Sequence, residues 1–169
     1  MTASTDLLVD AFGRIREVVE EVVTGLSPDE LSTQPDDDAN SIGWLVWHLT
    51  RIQDDHVAGA ADTEQIWTSG GWYERFDLPF AADATGYGHS SKDVAAVRDL
   101  SAQLLTDYHE AVHDNTVQFL AGVGDKDLKR IVDRVWTPPV TLGVRLISVI
   151  ADDLQHAGQA AYVRGMLGR

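Results

Sequence analysis

Apolar residues recur at three- and four-residue steps along four long stretches of this chain, the period of an amphipathic helix and not of a strand. The first runs from about Ser4 to Leu26 through Leu7, Leu8, Ala11, Ile15, Val18, Val19 and Val22. The second, capped by Asn40 or Ser41, carries Trp44, Leu45, Trp47, His48, Ile52 and Val57 to about Gly59. The third starts at Ser90 or Ser91 and repeats Val94, Val97, Leu100, Leu104, Tyr108, Ala111, Val112, Thr116 and Phe119 up to Ala121-Gly122. Thr141 caps the fourth, which runs through Leu142, Leu146, Val149 and Ile150 to about Met166.

The connections are unequal. Ser27-Pro28-Asp29-Glu30 restarts a short helix, because Ser supplies a cap and Pro suits the first helical position. Between roughly residues 60 and 90 the periodicity fails, and Gly70, Gly71, Pro79, Gly86 and Gly88 alternate with Trp67, Trp72, Tyr73, Phe76, Phe80 and Tyr87. A crossover this rich in aromatics packs onto its scaffold and acts as a lid over a cavity. Residues 125–132 read as a short helix, and Trp136-Thr137-Pro138-Pro139 as extended chain. No strand is expected. The predicted fold is all-α: one four-helix bundle domain over residues 1–169, with a long aromatic-rich crossover between helices two and three.

The chain has 13 Lys and Arg against 27 Asp and Glu, a formal net charge of −14, which would repel a phosphate backbone or an anionic membrane. No apolar run approaches transmembrane length, and the start MTASTDLLVD lacks the basic and apolar segments of a signal peptide, so a cytoplasmic location is expected. With no cysteine, disulfides, thiolate nucleophiles and sulfur-ligated zinc are excluded. Chemistry must come from His, carboxylates, hydroxyls or a bound cofactor.

Asp152 and His156, four residues apart, share one face of helix four and can aim at a common point; the ordinary alternative is a surface hydrogen bond. His48 lies in the most apolar segment, WLVWHL, where a buried imidazole needs a partner or a metal. Two imidazoles and one carboxylate in a bundle core would leave coordination positions open to water or substrate. His109 and His113 form a rival HxxxH pair on helix three, but Asp107, Glu110, Asp114 and Asn115 around them predict a solvated face. The acidic runs 36–38 and 54–55 lack calcium-loop spacing and read as solvated or capping, although Asp55, two turns after His48, is placed to support it.

SIGWLVWHLTRIQDDH, followed much later by LISVIADDLQHAGQAAYVRG, resembles the DinB/YfiT-like superfamily of metal-binding four-helix bundles over nearly the whole chain. The resemblance implies a metal held by a His of helix two and an HxxxH or ExxxH pair of helix four. His48 and His156 match directly. The position of Asp152 is His in the commonest family pattern and Glu in the mycothiol-dependent maleylpyruvate isomerase branch, so Asp152 keeps the acidic type on a shorter side chain. Gly158 and Gln159 match the usual continuation, in which the small residue lets helices approach closely. The carboxylate branch includes thiol S-transferases and isomerases that use mycothiol or bacillithiol.

The expected activity is therefore a thiol S-transferase or isomerase in which a divalent Zn, Ni, Fe or Mn ion activates a small-molecule thiol, mycothiol among the candidates, for attack on an electrophile. His48, Asp152 and His156 are the expected ligands; Trp67, Trp72 and Tyr73 are the expected wall of the open position. Arg51, one turn beyond His48, is placed to meet an anionic substrate group, with a surface ion pair as the alternative. Two other readings stay open: a non-catalytic bundle with a vacant or degraded metal position, dimerising through apolar helix faces, and a metal-dependent hydrolase.

Overall fold

A computed structural model describes residues 2–169. Its helices are α1 (Ala3–Val23), α2 (Pro28–Ser32), α3 (Ile42–Ala61), α4 (Ile66–Ser69), α5 (Trp72–Phe76), α6 (Ser91–Ala96), α7 (Ala102–Ala121) and α8 (Leu142–Met166). The four long ones begin where a hydroxyl can accept an orphan amide: Thr2 from Thr5, Ser41 from Trp44, Ser101 from Leu104 and Thr141 from Val144. α3 packs most extensively on α8 and also touches α7, while α1 packs on both α7 and α8, so α1 and α3 stand on a diagonal. Phe12, Ile15 and Val19 of α1 meet Leu45 and Leu49 of α3, Leu105 and Leu120 of α7, and Leu146 and Val149 of α8 in one core.

Three expectations need correction. The third helix is not continuous: α6 ends at Ala96, and α7 restarts behind Ser101 after a bend in which Asp99 takes φ +62°. The apolar period carries on through Val97 and Leu100, which are buried, so periodicity alone conceals the break. A strand pair does exist, β1 (Ile131–Asp133) antiparallel to β2 (Val140–Thr141), closing the turn that contains Trp136 and the prolines. The helix expected over residues 125–132 is a single 3-10 turn, Asp127–Lys129.

The crossover holds α4 and α5 and is fastened down. Trp67, Trp72 and Phe76 surround Tyr108 of α7 with ring centroids 5.2, 5.4 and 5.5 Å away. The Tyr108 hydroxyl donates to Asp54 Oδ2 at 2.9 Å, and Asp54 also accepts the amides of Ile66 and Trp67 at 2.8 and 2.7 Å. Asp54 is thus buried and not solvated: it caps α4 from another helix, satisfying two orphan N–H groups.

Arg51 is also fully enclosed. It donates from Nε to Ala84 O at 3.1 Å, from Nη1 to Gln65 Oε1 at 2.7 Å and from Nη2 to Ala82 O at 3.4 Å, with Asp54 3.8 Å away and the Trp67 ring 4.9 Å beneath. It forms no surface ion pair and has no exposed face for an anionic substrate; it ties the crossover to α3. Among the described residues, no helix is long and apolar enough to cross a membrane.

Candidate metal centre

His48, Asp152 and His156 come together in the groove between α3 and α8, each offering a donor atom within 4.8 Å of the other two. Helical spacing makes this possible: four residues return Asp152 and His156 to one side of α8, facing α3. His48 is buried; the other two are half-buried, which leaves the centre reachable from solvent. The His48 and His156 rings meet edge to face, centroids 4.7 Å apart.

Hydrogen bonds decide which nitrogens are free. His48 Nδ1 donates to Thr85 O at 2.6 Å, and His156 Nδ1 donates to Asp152 O at 2.9 Å; a carbonyl can only accept, so both lone pairs sit on Nε2. Burial, with help from the nearby His156, lowers the pKa of His48 and keeps it neutral. For His156 burial opposes the imidazolium, yet the Asp152 side chain and carbonyl outweigh it and raise the pKa. The contact with His156 in turn lowers the pKa of Asp152, which is a carboxylate at neutral pH. Asp152 Oδ2 is buried 3.4 Å from His156 Nδ1 and has no hydrogen-bond partner in the protein. A buried carboxylate oxygen whose one nearby donor is the His156 ring at 3.4 Å, in a cluster with two imidazoles, is poorly satisfied without a cation, and this donor set suits a divalent first-row ion.

The crossover reaches this centre at Thr85 and Gly86. Gly86 has φ +92°, and a Cβ there would lie 2.7 Å from His48 Nδ1 and 3.1 Å from the Trp47 ring, so only glycine fits. Trp44 stacks on His48, centroids 4.7 Å apart at 15°, and donates from Nε1 to His89 Nδ1 at 3.2 Å. Sequence reasoning missed Trp44 and Gly86 as walls of the site; the i,i+4 step from Trp44 to His48 was the available signal. Trp67, Trp72 and Tyr73, expected as that wall, instead pack in a cluster with Phe76 and Tyr108, and Trp67 backs Trp47.

Two turns along the groove from His48 and Asp152, a cavity of about 210 Å³ is lined by Asp55, His56, Gly59, Asp133 and Arg145. Arg145 bridges Asp133 at 2.6 Å, and Asp55 lies 3.5 Å from His56 and accepts from Gln65 Nε2 at 2.8 Å. Burial first and then Arg145 lower the pKa of His56, which also feels the charge of Asp152.

The rival pair behaves differently from expectation. His109 and His113 face the bundle interior, 1% and 7% exposed, and not solvent. Thr50 gives its hydroxyl proton to Val46 O and accepts from His109 Nδ1 at 3.1 Å. Among the described residues no third His, Cys, Asp or Glu joins this pair in a metal-holding group.

A family model described as mycothiol-S-transferase matches residues 7–168. The chain belongs to the mycothiol-S-transferase family. This membership bears out the resemblance to the DinB/YfiT-like bundles and the all-α reading. The crystal structure of a conserved protein from Enterococcus faecalis is similar to this mycothiol-S-transferase family member, with a TM-score of 0.92 and 32% identity over 100% of this chain and 99% of that one. No curated protein matches the chain.

Proposed function

We propose that this chain is a divalent-metal-dependent S-transferase whose thiol substrate is mycothiol, residues 1–169 acting as one domain. The observation that carries the proposal is the convergence of His48, Asp152 and His156, each offering a donor atom within 4.8 Å of the other two, in a member of a family described by that activity. His48, Asp152 and His156 would hold the ion. When bound, the ion supplies Lewis acidity that favours the deprotonated form of a coordinating thiol at neutral pH. The chain has no cysteine, so the sulfur nucleophile belongs to the small-molecule thiol.

The remaining residues hold and shield. Thr85 O orients the His48 ring, the Asp152 carbonyl orients His156, and Trp44 covers one face of His48 against water. The neighbouring cavity, with carboxylates at Asp55 and Asp133 and donors at His56 and Arg145, suits the polar remainder of the thiol. This takes over the substrate role that the enclosed Arg51 cannot fill.

The test is metal content followed by thiol binding. Purified protein carries about one divalent ion per chain, and His48→Ala loses it while keeping its helical circular dichroism. Adding mycothiol to the cobalt-substituted protein produces a sulfur-to-cobalt charge-transfer band. Metal without that band points to hydrolysis; no metal in the wild-type chain leaves a non-catalytic bundle.

A further inference from the structure

Gly158, the small residue that the family pattern uses to bring helices together, meets nothing inside this chain: a Cβ added there has no neighbour within 4 Å. It lies on the outer face of α8. Along that face Val144, Ile147, Ala151, Leu154, Gly158, Ala161 and Gly165 are all exposed and succeed one another by alternating steps of three and four. Such alternation is the seam of a coiled coil, a helix surface shaped to receive another helix. Val144, Ile147 and Leu154 are 58%, 59% and 45% exposed, so the bulky half of this row is open to solvent within the chain.

Two further features say what covers it. The chain has 13 basic and 27 acidic residues, yet none occupies an exposed position of α8 between Val144 and Met166. Two copies at −14 each repel over most of their surfaces and can approach through an uncharged one. The seam is also graded, bulky at its start, Leu154 at its middle and small at its end. Laid antiparallel on a second copy, Val144 meets the partner's Gly165, Ile147 the partner's Ala161, Ala151 the partner's Gly158, and Leu154 the partner's Leu154. Every large side chain off the centre then faces a small one, as close packing requires. A parallel pairing would set glycine on glycine and leave a gap.

We propose that this face is the interface of a symmetric homodimer in which two α8 helices pack antiparallel about a two-fold axis at Leu154. Such an interface is self-complementary and closes after two copies. The face is about 30 Å long. Stable interfaces bury about 800 Å² per partner, the area that two such faces laid together have to approach. The proposal stands on the outer face of α8 and is independent of the metal chemistry.

Because the chain lacks cysteine, single introduced cysteines report the register directly. Sedimentation equilibrium of the full chain gives twice the 18.5 kDa chain mass, with tighter association as salt screens the acidic surfaces. Under mild oxidation Leu154→Cys cross-links to itself, Val144→Cys alone does not, and mixed Val144→Cys and Gly165→Cys chains do. Leu154→Glu sediments as a monomer with unchanged circular dichroism; should that variant misfold, the cross-links alone decide. A monomer at all concentrations overturns the proposal, as does a dimer in which the Leu154→Cys variant stays reduced or the Val144→Cys variant couples to itself.

Discussion

Thr85 takes the Nδ1 proton of His48 at 2.6 Å, so a main-chain carbonyl in the crossover determines which nitrogen of the ring faces Asp152 and His156. Gly86 makes that bond possible by letting the backbone press against the imidazole. Gly86→Ala puts a Cβ against His48 Nδ1 and strains a φ of +92°. Loss of such an orienting partner costs about 10- to 100-fold in metal affinity. Chelator competition on Gly86→Ala is expected to show that loss with helical content intact; wild-type affinity would mean that Thr85 does not orient the ring.

His109 makes the protein acid-sensitive. Burial, with His113 and Arg16 adding to it, lowers its pKa to about 3, against about 6.5 in an unfolded chain. Between those values the unfolded state binds a proton that the folded state refuses. The contribution is therefore full above about pH 6.5 and falls by about 1.4 kcal/mol per pH unit as acid is added. Urea unfolding at pH 7 and pH 5 is expected to show the drop in the wild-type chain and a shallower one in His109→Gln. Parallel slopes would show that His109 is protonated where it lies.

Asp153 works in the opposite sense. It is 0% exposed, neither carboxylate oxygen has a partner, and burial, reinforced by Asp152, raises its pKa well above the ordinary value. The folded state keeps a proton that the unfolded chain has released, so this group's contribution is full below the usual carboxylate range and is lost as pH rises. Asp153→Asn is expected to be more stable than wild type at pH 8, the gain shrinking toward pH 4. Equal stability at pH 8 would mean that the ionised carboxylate finds a partner.

The parts of this molecule legible in its sequence are those whose physics is local. Ser41 and Thr141 announce helix starts within three residues of the amides they cap. Asp152 and His156 share a face because of helical pitch alone, and His48 stands out because a polar ring in WLVWHL needs an explanation. The burial of Asp54 and Arg51 was not legible, since their partners lie in a crossover without periodicity. His109 and His113 were misjudged from their immediate polar neighbours. The face formed by Leu105, Tyr108, Val112, Thr116 and Leu120 includes both histidines, and that pattern was the better guide. The break before α7 was hidden because Val97 and Leu100 stay buried through it.

The enclosed guanidinium of Arg51 changes how a substrate gets in. Raising the crossover would strip a buried cation of its bonds to Gln65, Ala82 and Ala84 together, at a cost of several kcal/mol. The segment is a riveted roof and not a hinged door. Solvent meets the histidines sideways, past the half-buried Asp152 and His156 on the α8 flank of the trench.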